Sequence, residues 1–416
     1  MREHAEQVHQ HCAGYSTPNL AGDHRHRPMS GFDQIRPYND DEVKDVLDRL
    51  TRNPELVSTL VKFRFSNWPT WSHGALVWGL QKILKSRAQK IKTIRDFQLQ
   101  IESYMQQMIN TSTSKLTFSG VDELDLKQPC LFISNHRDIA LDPAFVNWAL
   151  HINGFDTVHI AIGDNLLTKD WVSDLMRLNK CFIVNRSAES KRDKLKASKE
   201  LSAYIHHSLK QEQAHTWIAQ KEGRAKDGND RTNPAIISML MLNKPKEMDF
   251  GDYLKELRIV PVAISYEFDP CDAAKAQELY QQEKEGVYEK EDHEDVKSIS
   301  MGITGSKGHV HLHFGTPIVS NANGSFNSAK DVALEVDRQI HQGYQLMATN
   351  VLAAQKLKLP VEQLLKQVDL DASEFEQRLS QYPEAIQAKM LAMYAEPVRN
   401  QLALQDSQAS AKPLAS

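Results

Sequence analysis

The sequence predicts an α/β fold: a largely parallel sheet covered by helices on both faces, with helical extensions at the N- and C-terminal ends. Three observations carry this expectation. Between Leu116 and Phe314 short apolar strands alternate with helical stretches, the rhythm of β-α-β units. From Asp40 to about Asn110, and again beyond Ser328, the strand signal gives way to helical spacing. His136, Arg186 and Glu222 each stand just past a strand, where open parallel sheets gather their functional groups.

The elements follow in order. Residues 1–31 are polar and lack apolar periodicity, so they read as a disordered tail. They carry His4, His9, His11, His24 and His26 with Cys12, but the spacing matches no closed zinc site. Residues 32–114 form an N-terminal helical region that opens on Asp40-Asp41-Glu42, acids suited to a helix N-terminus. Within it, Trp68, Trp71 and Trp78 precede Lys82, Lys85, Arg87, Lys90, Lys92 and Arg95, while Leu76, Leu80, Ile83, Leu84, Ile91 and Ile94 recur at helical spacing. Such a basic amphipathic helix can lie on an anionic bilayer or pack on the core with its charged face in water. Residues 115–320 hold the sheet, with strands expected at 116–118, 129–134, 158–162, 181–185, 216–219 and 259–266 and helices at about 143–152, 166–178, 188–209 and 234–242. A hairpin is expected from 298–304 and 309–314, turning at Gly305-Ser306-Lys307-Gly308. His309, His311 and His313 alternate along its second strand, share one face and could ligate a metal, although no fourth ligand stands nearby. Residues 321–404 read as a C-terminal helical region and 405–416 as a disordered tail.

Composition excludes several classes. With 41% hydrophobic and 25% charged residues and a formal charge of −4, the chain reads as globular, with no global pull toward nucleic acid. The four cysteines lack paired spacing and suit a reducing cytosol. Neither a signal peptide nor a run of about eighteen uncharged apolar residues is present, so no span is expected.

The chemistry concentrates in Phe132-Ile133-Ser134-Asn135-His136-Arg137-Asp138-Ile139-Ala140-Leu141-Asp142-Pro143. A neutral imidazole can take a proton near neutral pH, and a carboxylate on its other nitrogen fixes the tautomer. Asp142 or Asp138 could serve, and Asp142-Pro143 also reads as a plain helix cap. Phe182-Ile183-Val184-Asn185-Arg186-Ser187 ends in an arginine able to bind phosphate. Trp217-Ile218-Ala219-Gln220-Lys221-Glu222-Gly223-Arg224-Ala225-Lys226 opens into a cationic loop suited to an anion. Ile259-Val260-Pro261-Val262-Ala263-Ile264-Ser265-Tyr266 would wall the pocket.

In this order and spacing the four segments resemble the glycerolipid acyltransferase family, which includes lysophosphatidate and glycerol-phosphate acyltransferases, over about residues 115 to 320. The resemblance implies that His136 is the base and that Asp142 orients it, with Asp138 as the rival. Five residues separate His136 from Asp142 where the family has four. Arg186 matches the arginine of the second motif and Glu222-Gly223 part of the third, with Lys221 where proline is usual and Arg224 one position early. These positions would hold the acceptor's phosphate, and Asn135 and Arg137 are expected on the substrate side too. The implied activity is an O-acyltransfer in phospholipid biosynthesis. The donor would be acyl-CoA or acyl carrier protein, and the acceptor lysophosphatidate, glycerol 3-phosphate or another lipid, at the cytoplasmic face of a membrane. No cofactor or metal is expected.

Two other classes share some of these signals. His136-Arg137-Asp138 and Asp249-Phe250-Gly251 imitate protein-kinase triplets, but the asparagine required after the acid is Pro143 and no glycine-rich loop precedes them. A non-catalytic lipid or acyl-carrier-protein binding module on the same fold is the stronger rival.

Overall fold

The computed structural model describes residues 31–64, 73–290, 294–320, 326–368 and 372–411. The expected N-terminal tail up to residue 30, with its histidines and Cys12, and the tryptophans Trp68 and Trp71 lie outside the described residues. Residues 1–34 and 35–416 form separate units, and the described end of the first is a turn.

Seven strands make one sheet: β1 (Lys115–Ser119), β2 (Leu131–Ser134), β3 (His159–Gly163), β4 (Cys181–Val184), β5 (Thr216–Ala219), β6 (Ile259–Tyr266) and β7 (His309–Phe314). Their order is β1-β7-β6-β2-β5-β3-β4. Every pairing is parallel except β6 with β7. The five strands β2 to β6 therefore deliver their carboxyl ends to one side, and β1 and β7 point the other way.

The connections place the helices. From β2 the chain moves through α5 (Leu141–Ile152) to β3 and through α6 (Asp170–Leu178) to β4, both steps in one direction across the sheet. It then returns through α7 (Lys191–Lys210) to β5, and through α8 (Pro234–Leu240) and α9 (Phe250–Leu257) to β6, in the opposite direction. Because parallel crossovers are right-handed, reversing direction moves the helices to the other face, so both faces are covered. The side chains agree. Phe132, Ile160, Cys181 and Val260 share a cluster with Phe145 of α5, whereas Phe182 turns to Tyr204 of α7 at 5.0 Å between ring centroids. All eight residues of β6 are buried, as a central strand requires. Pro261 sits there without cost to the ladder, because its missing donor faces the β7 side where β7 has already ended and its carbonyl instead accepts from Gly315.

The N-terminal helices α1 (Val43–Arg52), α2 (Pro54–Arg64), α3 (His73–Ala88) and α4 (Ile94–Ser112) precede β1. Thr93 caps α4 in a capping box with Asp96. On the other side of the sheet in sequence come α10 (Asp272–Glu285), α11 (Glu294–Thr304), α12 (Ala329–Gly343), α13 (Ala348–Lys356), α14 (Ser373–Ser380) and α15 (Glu384–Ala411). Their own core gathers Val351, Phe375, Met390, Tyr394 and Val398.

Two expectations are corrected. Residues 298–304 are not a hairpin strand but most of α11, because the residues they bury are Ser298 and Gly302, four apart on one helical face. The last helix runs on to Ala411, through residues expected to be disordered after 404.

Candidate active site

The site begins where β2 ends. Asn135 extends the β2–β6 ladder with its side chain, since Oδ1 accepts from the Ile264 amide at 2.7 Å and Nδ2 donates to the Ile264 carbonyl at 3.0 Å. An amide side chain thus imitates one more rung of backbone and frees the main chain to turn. The next residue, His136, stands at the rim with its side chain 14% exposed.

Asp142, rather than Asp138, faces the imidazole. His136 Nδ1 lies 2.8 Å from Asp142 Oδ2. The same oxygen accepts the backbone N–H groups of Arg137 at 2.6 Å and Asp138 at 3.0 Å, while Oδ1 accepts the Tyr266 hydroxyl at 2.8 Å. Four donors converge on one carboxylate, which only a group accepting on both oxygens can satisfy. Asp142 is not the helix cap that Asp142-Pro143 suggested. Asp138 instead meets the amides leading into α5, its Oδ1 accepting from Ala140 at 3.0 Å and Leu141 at 2.9 Å. Burial and then the neighbouring Asp142 charge raise the Asp138 carboxyl above its ordinary range. Gly302 of α11 lies against it, where a Cβ would stand 2.3 Å from Asp138 Oδ2, so only glycine lets α11 come this close.

The third segment folds back onto the same loop. The Ala225 amide donates to the His136 carbonyl at 2.7 Å, which brings the turn at Gly223 (φ +74) and Arg224 beside the histidine. Of the three loop cations, Lys226 is held by Glu278 of α10, Lys221 donates to the Asn229 carbonyl at 3.1 Å, and Arg224 reaches Ser298 of α11 at 3.4 Å. Arg186, at the end of β4, lies 3.7 Å from Glu222, and both are exposed. The backbone amides of Arg186 and Ser187 are held in turn by Asp164 at 3.1 and 3.2 Å. Arg186, Glu222, Gly223 and Arg224 thus lie along the carboxyl-end rim with His136.

Asn135 and Arg137 do not join them. Both are buried, and they meet on Asp230, which accepts Asn135 Nδ2 at 3.1 Å and Arg137 at 2.6 Å. The expected substrate-side placement of these two residues is therefore corrected: alternation past β2 sends their side chains inward and they build the floor of the loop.

The acyltransferase family model matches residues 115–265. This segment is an acyltransferase domain. A solved structure described as the 1-acyl-sn-glycerophosphate (LPA) acyltransferase PlsC from Thermotoga maritima is similar at 13% identity, over 72% of this chain and 95% of its own, with a TM-score of 0.35. No curated protein matches the chain.

Several residues of the candidate site escaped the sequence. Tyr266 was legible only as the end of a strand, yet its hydroxyl fixes the second oxygen of Asp142. Trp217 sets its ring edge against the His136 ring, 5.8 Å between centroids at 71°. Asp230 lay unmarked in the polar run after Lys226.

The three histidines of β7 share one face, as alternation requires, but their ring nitrogens are engaged along β1. Thr117 Oγ1 lies 2.7 Å from His309 Nε2 and 2.7 Å from His311 Nδ1, and Ser119 Oγ lies 3.0 Å from His311 Nε2 and 2.8 Å from His313 Nδ1. The hydroxyls of Thr117 and Ser119 thus link the three rings. Among the described residues no group of three potential ligands comes together around a metal position.

Proposed function

We propose that the domain transfers a fatty acyl group from a thioester, acyl-CoA or acyl carrier protein, to the hydroxyl of a glycerol-phosphate lipid, with lysophosphatidate as the first acceptor to test. The observation that carries this reading is the 2.8 Å contact between His136 Nδ1 and Asp142 within an acyltransferase domain. With Nδ1–H donated to the carboxylate, Nε2 is the nitrogen that accepts a proton. The acceptor hydroxyl gives its proton to Nε2 as its oxygen attacks the thioester carbonyl carbon. The C–S bond then breaks, the thiolate leaves with the sulfur's electron pair, and the imidazolium returns the proton to it. Asp142 steadies the imidazolium between these steps. Arg186 and Arg224, with Lys221, face the acceptor's phosphate, and Arg186 exchanges its long contact to Glu222 for a charge-assisted one. Holding donor and acceptor together supplies the larger part of the rate.

Thiol release from palmitoyl-CoA and palmitoyl acyl carrier protein, each with lysophosphatidate or glycerol 3-phosphate, tests this. Release that depends on the acceptor, and that a His136 variant lacks, is the expected result. No release above that variant for any pairing would favour the non-catalytic binding module.

An acceptor of this kind resides in a bilayer, so the protein is proposed to work as a peripheral protein on a cytoplasmic membrane face. Helix α3 supports this reading: it buries no residue fully, exposes 62% of Trp78, and sets Lys82 over that ring at 3.9 Å. Ile83, Lys85 and Arg87 are exposed beside them. No helix among the described residues is long and apolar enough to cross a membrane. Co-sedimentation with anionic vesicles at low salt should fall sharply in a Trp78→Ala, Ile83→Ala double variant and with added salt. A chain that stays in the supernatant at low salt would refute membrane contact.

A further inference from the structure

The geometry points to Lys275, on α10 and outside the segment matched by the acyltransferase family, as the positioning residue that sets the direction and strength of the Asp142–His136 contact. The inference rests on the reading of His136 as the base. Lys275 is 2% exposed. Its ammonium donates to the Arg137 carbonyl at 2.6 Å and is ion-paired with Asp269. The Arg137 carbonyl belongs to the same peptide unit as the Asp138 N–H, and that N–H donates to Asp142 Oδ2 at 3.0 Å. Asp142 Oδ2 is also the oxygen that meets His136 Nδ1. An unbroken line therefore runs from Asp269 through Lys275, one peptide bond and Asp142 to the imidazole. A cation on an amide oxygen deepens the amide's polarisation, and this makes its N–H a stronger donor at the other end.

The line is anchored from the C-terminal helices. Asp272, the first residue of α10, accepts Arg378 of α14 and, at 2.7 Å, the Tyr394 hydroxyl of α15. The Asp269 amide donates to the same hydroxyl at 2.9 Å. Burial alone would push the Asp269 carboxyl up, but the Lys275 ammonium overrides this and holds it below its ordinary range. A second C-terminal contact supports the neighbouring loop: Pro397 leaves the Met393 carbonyl without its helical donor, and Gly228 (φ +79) approaches so closely that a Cβ would stand 2.3 Å from that oxygen. Gly228 in turn accepts Arg137 at 3.0 Å. The C-terminal helices thus hold the histidine loop at its carbonyl and at its buried arginine.

The titratable groups around the pair come from every packed element: Asp138 and Arg137 on the loop, Tyr266 of β6, Asp230 of the third segment, Lys307 after α11, and Lys275 with Asp269. Of the two charges in the Lys275–Asp269 pair, the ammonium is nearer the peptide, so removing both strips donation from Asp142 and leaves its oxygen more negative. The imidazolium is then held harder.

The test compares wild type, Lys275→Met with Asp269→Asn, which leaves no orphaned buried charge, and Lys275→Arg, which keeps the cation. The double variant should lose about 10- to 100-fold in kcat with little change in KM, and the acid limb of its kcat/KM profile should move up by about half a pH unit or more. Lys275→Arg should restore the limb. A titration of the His136 ring by nitrogen NMR reads the same shift without substrate, so the positioning role is judged even if no acyl transfer is found. An unmoved ring titration in the folded double variant overturns the inference, and so does a Lys275→Arg protein that folds but titrates unlike wild type.

Discussion

Replacing His136 by alanine is expected to lower kcat/KM by about 10³-fold or more, roughly 4 kcal/mol of transition-state stabilisation, while leaving thermal unfolding nearly unchanged. The two effects separate because of how the loop is built. Asp142 keeps both backbone amides and the Tyr266 hydroxyl when the imidazole is gone, so the carboxylate is not orphaned. The ring itself lies at the rim, and its removal opens no sealed cavity. Asp142→Asn should behave differently, losing about 10²-fold or more in rate and also some stability. An asparagine has one acceptor oxygen, so its NH2 would either confront the two amides or force the Tyr266 hydroxyl to turn from donor to acceptor. Single-turnover rates with thermal melts check both variants. A His136→Ala protein with wild-type rates would remove the imidazole from the chemistry.

The second large effect is on stability in acid. His159, His215 and His311 are held by burial to pKa values of about 3, 4 and 4, with nearby cations or histidines adding to the depression. In the unfolded chain each titrates near 6.5. Above that pH neither state carries the proton, and these groups give no pH dependence. Between about 6.5 and 4 the unfolded chain binds protons that the native protein refuses, so stability falls as pH falls, by at most about 1.4 kcal/mol per unit for each histidine. Together they approach roughly 4 kcal/mol per unit, against a total of about 5–15 kcal/mol for a typical domain. The desolvated carboxyls of Asp138 and Asp337, raised above their ordinary range, bind protons in the native state and soften the slope. Urea unfolding should therefore show stability dropping by several kcal/mol between pH 7 and 5, and His311→Gln, whose amide can still meet Thr117 and Ser119, should flatten part of that slope. Equal stability at the two pH values would mean that these rings accept protons in place.

How much of this was legible depended on whether the signal was local. Thr216–Ala219 and Ile259–Tyr266 were bounded correctly, because each is a β-branched or apolar run that the chain stops with a polar or charged residue. His136 and Asp142 stood out because they lie close together in the sequence, one in the loop after β2 and the other in the first turn of α5. Residues 298–304 misled because Ser-Ile-Ser-Met-Gly-Ile-Thr alternates like a strand, while the packing that decides the matter is the close approach of Gly302 to Asp138, over 160 positions away. Lys275, Tyr266 and Asp230 were invisible as site residues for the same reason. Their partners are brought near only by the sheet order and by the C-terminal helices, and no local period encodes that. The histidine alternation on β7 was read correctly as one face, but the hydroxyls that occupy it come from a strand about 190 residues earlier.

The pairing of β1 has a consequence for how the chain can be divided. Among the described residues β1 pairs with β7 alone, and β7 also covers the outer edge of β6. A piece ending at residue 265, where the family match ends, would strand β1 with no neighbour and leave β6 as a long apolar open edge, the kind of edge that recruits other chains. The segment that matches the family is therefore not a unit that can be excised. During synthesis the sheet cannot close until residues near 314 have emerged, and its closing contact spans almost half the chain, which makes assembly slow and leaves the histidine loop unsupported until late.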